Sequence, residues 1–314
     1  MDTANPPRRV LITGAEGYIG RLLTEALAAD RGDLEAIVAT DLRAPEAPVP
    51  GVIHAPLDIT RAADVRALVA KYRPDTVVHL AAVVTPRPDQ GRDLQRRVDV
   101  DGTRHLLDAC VAHGVRKLVY TSSGAAYGYH ADNAPLLTED APLRGNEAFA
   151  YAAHKREVEV LLADARRDHP ALKQLVFRVS TILGERVHNQ ITAMFERPVV
   201  LGLRGVDTPF CFVWDQDVVA CLALGVREPE KTGIYNLTGH GVMTLREIAA
   251  GMHRPFVALP QGWVRRGLEV LSKRGLSPYG PEQVMFLAHR PVLSNEALVR
   301  DFGYRPQKTS REVF

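Results

Sequence analysis

Short apolar runs alternate with longer amphipathic stretches through the first 180 residues of this 314-residue chain. The apolar runs are rich in β-branched residues and include "RRVLITGA", "EAIVATD", "DTVVHLAAVV", "RKLVYTSS" and "LKQLVFRVS". Stretches with a helical pattern separate them, near 18–30, 60–72, 90–113 and from Phe149 onward. Strands that are apolar on both faces and are separated by helices indicate a parallel sheet covered on both sides. The sequence therefore predicts a doubly wound α/β fold.

This regular pattern loosens after about residue 181. There "FCFVW" and "GIYNLTG" have the character of short strands, while 244–252 and 264–274 have that of helices. No internal repeat or low-complexity linker separates the two parts of the chain. We therefore expect an α/β domain over 1–181 and a smaller mixed α/β lobe over 182–314, which rests on the sheet edge and does not fold independently.

The composition excludes several classes of protein. A formal net charge of +2 gives no electrostatic case for binding nucleic acid or an anionic membrane. No apolar run has the length of a membrane span, and "MDTANPPRRV" does not resemble a secretory signal. Cys110, Cys211 and Cys221 are odd in number and scattered, so we expect reduced thiols in a cytoplasmic protein. No paired Cys or His spacing indicates a metal site.

Three glycines mark the turn from the first strand into the first helix. "VLITGAEGYIG" places Gly14, Gly17 and Gly20 there, in a variant of the dinucleotide-binding spacing. Glycines let the backbone turn tightly and approach a pyrophosphate, and the helix N-terminus supplies N–H donors and positive potential. Because a strand precedes the glycines and a helix follows, the motif predicts a dinucleotide site.

Two acidic residues at later strand ends bear on which dinucleotide binds. Asp41 ends the second strand, where a carboxylate accepts hydrogen bonds from the adenosine ribose and repels a 2′-phosphate, which favours NAD over NADP. Arg43 works against this preference because a guanidinium pairs with phosphate, and Asp41 as a solvated loop acid is the alternative. Asp58 in "LDIT" reaches an adenine amino group or caps the helix starting near Thr60; the sequence favours neither interpretation.

"YAAHK", residues 151–155, places a tyrosine and a lysine one helical turn apart on one face. Taken alone, Tyr151 and Lys155 are typical of an ordinary helix surface. Other segments change this interpretation: "TGAEGYIG", "HLAAVV" at 79–84, "TSSGAAYG" at 121–128, and weaker matches in "WDQDVVACL" and the closing "SNEALVRDFGYRP". With them, the sequence resembles the extended short-chain dehydrogenase/reductases, the NAD-dependent epimerase/dehydratase family. The resemblance covers nearly the whole chain and implies a Rossmann domain with a C-terminal substrate-binding lobe.

The resemblance assigns roles to three residues. Ser123 would help to bind the reacting oxygen, Tyr151 would be the acid/base, and Lys155 would hold the nicotinamide ribose and lower the pKa of the phenol. Lowering a phenol pKa from about 10 to near neutrality takes roughly two units, or about 3 kcal/mol, which an ammonium and a charged nicotinamide ring can supply in a dry site. Alternation along the strand points Ser122 the other way. The cofactor-binding residues implied are Gly14, Gly17, Tyr18, Ile19, Gly20, Asp41, Asp58, Ile59, Leu80, Ala81, Ala82, Tyr151 and Lys155.

The chain also departs from the family pattern. Asp99 stands where the family usually has asparagine, which puts a structural hydrogen bond or proton relay there in doubt. His154 precedes the lysine where a small or hydroxylic residue is common, and helix packing or a surface position is favoured over a ligand or acid role. Gly124 and Ala125 replace the acid and base of the dehydratases, so dehydration is not expected.

These features favour an NAD-dependent oxidoreductase that acts on a secondary alcohol or its ketone. The alternative is a nucleotide-sugar (UDP-sugar) 4-epimerase that uses the same residues for a reversible oxidation. A third hypothesis, a cofactor-binding regulatory protein without catalysis, is disfavoured because Ser123, Tyr151 and Lys155 are all present. The expected partner is a small-molecule substrate, and relatives often pair as dimers, so a homodimer is also an expectation.

Two positions argue against a UDP-sugar substrate. Thr181 stands where UDP-sugar epimerases have a nucleotide-binding asparagine, and Phe210 stands where they have an arginine, seven residues before Asp217. An aromatic ring cannot pair with a diphosphate, and burying one without cationic partners costs several kcal/mol. Unless Arg204 or Arg186 replaces the missing arginine, the pocket suits a less charged and more hydrophobic alcohol or ketone.

Overall fold

A computed structural model describes residues 9–84, 91–187, 190–195, 197–277 and 280–314. Its strands are β1 (Arg9–Thr13), β2 (Ala36–Asp41), β3 (Ile53–Pro56), β4 (Thr76–His79), β5 (Lys117–Ser123), β6 (Lys173–Val179), β7 (Thr181–Leu183), β8 (Val200–Leu203), β9 (Pro209–Phe210), β10 (Phe212–Trp214), β11 (Gly233–Leu237), β12 (Met243–Thr244) and β13 (Phe256–Leu259). Residues 1–8, on which the prediction of no secretory signal largely rests, lie outside the described residues. Residue 90, the first of the helical stretch predicted near 90–113, also lies outside them.

Its α-helices are α1 (Tyr18–Ala29), α2 (Ala62–Tyr72), α3 (Arg92–Arg96), α4 (Gly102–Ala112), α5 (Ala150–Asp168), α6 (Gln190–Phe195), α7 (Asp215–Arg227), α8 (Leu245–Gly251), α9 (Gln261–Lys273), α10 (Gln283–Ala288) and α11 (Ser310–Val313). A π-helical segment, Arg97–Asp101, joins α3 to α4, and a 3₁₀ turn, Gly124–Tyr127, follows β5. The amphipathic stretches read from the sequence are thus confirmed as α1, α2, α3–α4 and α5.

Seven parallel strands form the central sheet, in the order β11-β6-β5-β4-β1-β2-β3. In β1, Val10 and Ile12 pack into the core on one side, and Leu11 packs into the core on the other. Helices α1 and α7 cover the first side, while α2, α4 and α5 cover the second. This arrangement confirms the doubly wound fold and explains why the strand sequences are continuous apolar runs.

The strand order reverses beside β1, because β2 lies on one side of it and β4 on the other. The carboxyl ends of β1 and β4 therefore open a crevice, which is where doubly wound sheets bind ligands. The turn after β1 and the segment after β4 meet there: Leu80 N donates to Thr13 O (3.1 Å).

The C-terminal part carries three small strand pairs, β7–β10, β9–β12 and β8–β13, around a separate apolar cluster that includes Phe195, Phe210 and Phe212. The strand and helix expectations for this part are confirmed by β9 to β11, α8 and α9. Edge strand β11 and covering helix α7 both follow residue 181, so the main sheet continues past the predicted boundary. The division into domains at that residue stays a prediction.

The three cysteines are free thiols buried in the protein. Across the part of the chain that the structure describes, no helix combines the length and apolarity needed to cross a membrane. Nor does any group of three or more His, Cys, Asp or Glu side chains in these ranges have a metal-holding arrangement.

Candidate active site

The glycine turn is packed so closely that side chains would not fit. Gly14 has φ +69°, and a Cβ there would lie 2.6 Å from Ala81 N. A Cβ on Gly20 would lie 2.1 Å from Gly14 O, so the first turn of α1 rests directly on the loop. Because no side chain of the described residues caps α1 and its first turn has no acidic residue, its first N–H groups are left for another acceptor. The turn fits a pyrophosphate.

Asp41 and Arg43 meet at the end of β2. Asp41 accepts hydrogen bonds from Glu16 N (3.0 Å) and Arg43 N (3.1 Å), and the Arg43 guanidinium lies 3.6 Å from the carboxylate. Arg43 also donates to Glu16 O (2.6 Å). The carboxylate therefore ties the strand end to the glycine turn, and the arginine that was expected to compete with it is its ion-pair partner. The predicted ribose contact remains a prediction.

Asp58 lies in the turn before α2. Its Oδ1 accepts from Thr60 N (3.0 Å) and Thr60 Oγ1 (2.7 Å), which fixes the turn, although the N-cap of α2 is Arg61. The adjacent Ile59 side chain is buried, and a Cβ on Gly102 would lie 2.8 Å from it. Any contact of Asp58 or Ile59 with adenine stays a prediction.

The other predicted cofactor residues surround the crevice. Tyr18 donates to Asp215 Oδ2 (2.5 Å), which ties α1 to α7, and burial raises its pKa to about 12. Ile19 and Leu80 pack against the core on the α1 side. Ala81 packs against the core on the other side, and its N–H lies 3.5 Å from Thr13 Oγ1. Ala82 follows in the same segment, half-buried.

Lys155 is buried, which rules out an ordinary helix surface for the tyrosine–lysine pair. Its ammonium donates to Tyr120 Oη (2.9 Å) and Thr121 O (2.8 Å), and it lies 5.7 Å from the centroid of the Tyr151 ring. Burial lowers the pKa of Lys155 to about 8, while the charges of Asp99 and Glu159 act in the opposite direction. Tyr120, which fixes the ammonium, is not among the site residues predicted from the sequence. A signal was available in the sequence: Tyr120 is two residues before Ser122 on β5, so the two side chains are expected on the same face of the strand.

The Tyr151 side chain is held beside Ser123 near the start of α5. Burial raises the pKa of Tyr151, and a hydrogen bond with Ser123 partly opposes that rise. The lowered pKa expected for the Tyr151 phenol is therefore not found in the protein alone, because the effect of burial on this pKa outweighs that of the neighbouring groups. The phenol is a neutral hydroxyl in this state.

Ser122 and Ser123, at the end of β5, make different contacts. Ser122 Oγ donates to Glu159 (2.5 Å), whose carboxylate forms a buried ion pair with Arg178 (2.7 Å). Ser123 Oγ accepts from Ala125 N (3.2 Å) and so caps the turn that follows β5. One serine thus fixes the strand to α5 and β6, and the other faces Tyr151.

His79, at the end of β4, stays neutral beside the lysine. Its ring is hydrogen-bonded to Thr13 Oγ1 (2.7 Å) and Thr103 Oγ1 (2.9 Å). Burial and the charge of Lys155 lower its pKa to about 3. The imidazole therefore adds no second positive charge to the site.

Asp99 and His154 form a buried pair next to the site. Asp99 Oδ2 lies 3.1 Å from His154 Nδ1, and its Oδ1 accepts from Val83 N (2.8 Å). Both side chains are almost completely buried. The packing interpretation of His154 is supported, and the hydrogen bond that the Asp99 substitution put in doubt is present, made by a carboxylate.

Aromatic residues surround Tyr151. Tyr129, Phe149 and Phe286 lie with ring centroids 5.0 to 6.0 Å apart, and they pack with Tyr151 and Met285. Phe286 and Met285 come from α10 in the C-terminal part. None of these side chains was predicted as part of the site, because Met285 and Phe286 are far from Tyr151 in the chain and no distinctive motif marks Tyr129 or Phe149.

A half-buried arginine extends this aromatic cluster. The guanidinium of Arg290 lies 4.2 Å from the Phe210 ring centroid and 4.4 Å from that of Phe286. Its Nη2 donates to Thr181 Oγ1 (3.1 Å), while its Nη1 is buried and has no hydrogen-bond partner among the residues that the structure describes. Burial lowers the pKa of Arg290. The Arg290 guanidinium therefore lies beside Phe210 and Thr181, where the sequence predicted no positive charge.

The two sequence candidates for that cation lie elsewhere. Arg186 and Arg204 are both exposed, and Arg186 acts on Tyr18 rather than on the aromatic cluster. The structure thus assigns the role of this cation to Arg290, which sequence comparison around Phe210 did not suggest.

Similar proteins were found by sequence and by structure. A 3-diazoavenalumate denitrifying reductase from Streptomyces is 37% identical over 183 residues, which are 56% of this chain and 57% of the reductase. A UDP-glucose 4-epimerase from Mycolicibacterium smegmatis is 36% identical over 161 residues, which are 49% of this chain and 50% of the epimerase. A solved structure, the Thermus thermophilus UDP-glucose 4-epimerase in complex with NAD, has a TM-score of 0.73 and 25% identity and covers 97% of this chain and 96% of its own.

The family model described as the NAD dependent epimerase/dehydratase family matches residues 10–237. That range contains the glycine turn, the serine after β5 and the tyrosine–lysine pair of α5. The chain therefore belongs to the NAD-dependent epimerase/dehydratase family.

Proposed function

We propose that this protein is an NAD-dependent oxidoreductase that transfers a hydride between the cofactor and a secondary alcohol or its ketone. The observation that carries this proposal is that Ser123 and Tyr151 are hydrogen-bonded to each other beside the fixed and buried ammonium of Lys155. Gly124 and Ala125 offer no side chain that could act as acid or base for the loss of water. An oxidation or reduction at carbon is the chemistry that these residues support.

NAD is the proposed cofactor. The glycine turn and the uncapped α1 would hold the pyrophosphate, Asp41 the adenosine ribose, and Lys155 the nicotinamide ribose. NAD is present in the structure of the T. thermophilus epimerase to which this chain is similar. When bound, it supplies the hydride acceptor or donor at its nicotinamide ring.

Tyr151 is proposed as the group that moves the proton. Because its pKa is raised by burial, the phenol carries its proton at neutral pH and can give it to the oxygen of a ketone that is being reduced. Ser123 donates a hydrogen bond to that oxygen and fixes its position. Lys155 brings a positive charge beside the phenol ring, which favours the phenolate that remains.

The walls of the site favour a hydrophobic substrate. Tyr129, Phe149 and Phe286 give an apolar aromatic surface around Tyr151, and Met285 adds a flexible side chain to it. These residues provide area for an apolar group next to the reacting carbon.

A UDP-sugar 4-epimerase is the second candidate, and Arg290 is the observation that favours it. A guanidinium whose Nη1 is buried and has no partner within the described ranges of the chain is a ready contact for an anionic group of a substrate. The similarity to the M. smegmatis epimerase and to the Streptomyces reductase is nearly equal in identity and extent, so it does not separate the two candidates.

Two measurements test the proposal. Denaturing the purified protein and identifying the released nucleotide should give little NAD, because a dehydrogenase exchanges its cofactor at each turnover. Purified protein with added NAD should then form reduced nicotinamide with hydrophobic secondary alcohols, and the Tyr151→Phe variant should not. Retained NAD together with no reaction on any alcohol would contradict the dehydrogenase and favour the epimerase.

A thermal-shift panel of UDP, UDP-glucose and UDP-galactose, each with NAD, addresses the substrate. We expect no stabilisation by UDP. Stabilisation of wild type that is lost in Arg290→Leu, and kept in the exposed control Arg204→Leu, would contradict the hydrophobic substrate and favour the epimerase.

A further inference from the structure

Helix α9 exposes a strip of large apolar side chains. None of its residues is buried, and Trp263 is 72% exposed. Val270 and Leu271 are also exposed, and Leu276 just after the helix is 70% exposed. With about 3.6 residues per turn, Trp263, Val270 and Leu271 fall on one side of the helix. Isolated exposed apolar residues are ordinary, but a cluster on one helix face marks a contact surface.

The partly buried residues of α9 show how the helix is anchored. Val264 and Leu268 are neighbours on the apolar side and are half-buried. They attach the helix to the protein, and they leave the part of the apolar side around Trp263 uncovered. The strand pair that precedes α9 also exposes Leu201 and Val257, which are opposite each other in the β8–β13 register.

Basic residues border this apolar strip. Segment 261–276 contains Arg265, Arg266, Lys273 and Arg274 but only one acidic residue, Glu269, which gives a local net charge of +3. The net charge of +2 for the whole chain, which by itself gives no case for an anionic membrane, does not reveal this local concentration of positive charge. Glu269 pairs with Lys273 (2.7 Å). By helical spacing, Arg266 and Lys273 lie on the side next to the exposed strip.

We propose that segment 261–276 is a docking surface for a membrane that contains anionic phospholipids. A strongly amphipathic helix with Trp and Leu on one side and Arg and Lys on the other lies in the plane of the lipid headgroups. The exposed apolar strip enters the boundary between headgroups and acyl chains, while the basic side chains contact the anionic headgroups. The helix lies on the membrane without crossing it. This proposal does not rest on the proposed function.

Charge separates a membrane from other partners for this surface. A second copy of the chain, docked face to face, would bring Arg266 and Lys273 near the same cations of its partner, which is repulsive. A nucleic acid would pair with the cations but would leave Trp263 and Leu276 without an apolar contact. An anionic membrane satisfies both parts of the surface.

Flotation with phospholipid vesicles tests the proposal. Wild-type protein should float with vesicles of phosphatidylcholine and phosphatidylglycerol but not with phosphatidylcholine alone, and added salt should weaken binding. Trp263→Ser should weaken binding by at least about tenfold. The control Leu42→Ser removes an apolar residue that is equally exposed, at 72%, but lies far along the chain, and it should bind as wild type does.

A charge variant tests the second half of the argument. Arg266→Gln should weaken binding by about fivefold, the effect of one basic residue at an anionic surface. Arg167→Gln, which removes an exposed arginine from α5, should have no effect. Absence of flotation, or equal binding to neutral and anionic vesicles, would overturn the proposal. A second outcome would also overturn it: the wild-type protein does not bind vesicles, sedimentation velocity shows a dimer, and Trp263→Ser dissociates that dimer. The surface would then be a contact between two copies of the chain.

Discussion

Replacing Lys155 by methionine should change how the stability of the protein depends on pH. The ammonium is almost completely buried, and burial lowers its pKa from 10.5 to about 8. Between these two values the unfolded chain binds a proton that the folded chain does not. Stability therefore rises with pH across this window, and the cost of holding the ammonium is fully present below about pH 8.

The size of the effect follows from that difference in pKa. The gap between 10.5 and about 8 corresponds to a destabilisation of about 3 kcal/mol, to order of magnitude, at neutral pH. At about pH 9.5 roughly 1 kcal/mol of it remains. Methionine fills similar space without a charge and loses the hydrogen bonds to Tyr120 and Thr121 at every pH. The free energy of unfolding of wild type should therefore gain about 2 kcal/mol relative to Lys155→Met between about pH 7 and about pH 9.5.

Urea unfolding at both pH values, without added cofactor, measures this difference. Comparing wild type with variant cancels other groups that titrate in the same window, such as Lys117, whose pKa burial also lowers to about 8. Lys71→Met, on the exposed side of α2, is the control and should show no such change. A constant difference between wild type and Lys155→Met would refute the reasoning, because the buried ammonium would then have no folding cost to lose.

Three further predictions concern the reaction. Tyr151→Phe should abolish turnover and keep cofactor binding, since only the ionisable oxygen is lost; activity above about a tenth of wild type would contradict the acid/base role. Asp41→Ala should narrow or invert the preference for NAD over NADP, as titration of both cofactors would show, and a wild type that prefers NADP would contradict it. Asp99→Asn should move the pH–rate profile to lower pH, because the charge of Asp99 raises the pKa of both Tyr151 and Lys155. The same change at Asp101, the partner of an exposed arginine, should leave the profile in place.

The fold could be predicted because its signals are local and repeated. In β1, alternate residues enter the two core layers, so a strand buried on both faces has a sequence without polar interruption. The glycine turn could also be predicted from the sequence, since Gly14 and Gly20 occupy positions where a Cβ atom would not fit.

The environment of the site could not be predicted, because distant segments create it. The ammonium of Lys155 is held by Tyr120, 35 residues earlier in the chain. Asp99 and His154 meet across 55 residues, and neither residue type indicates the other. The pKa of Tyr151 is raised by burial, and that burial depends in part on Phe286 of α10, which is far from the tyrosine in the chain.

Phe210 and Arg290 show why comparison of single positions fails at a substrate pocket. The sequence places an aromatic residue where epimerases have an arginine, and from that position alone the pocket lacks a cation. The fold brings Arg290, from 80 residues further along, onto the face of the same phenylalanine ring, 4.2 Å from its centroid. An aromatic face stabilises a guanidinium in a dry site and leaves its N–H groups free to bind other groups. Phe210 therefore carries no charge itself but stabilises the charge of Arg290. If the substrate carries an anionic group, we expect that group to contact Nη1 of Arg290. Comparing the stabilisation by UDP compounds in Arg290→Leu and in Arg204→Leu tests for this contact directly.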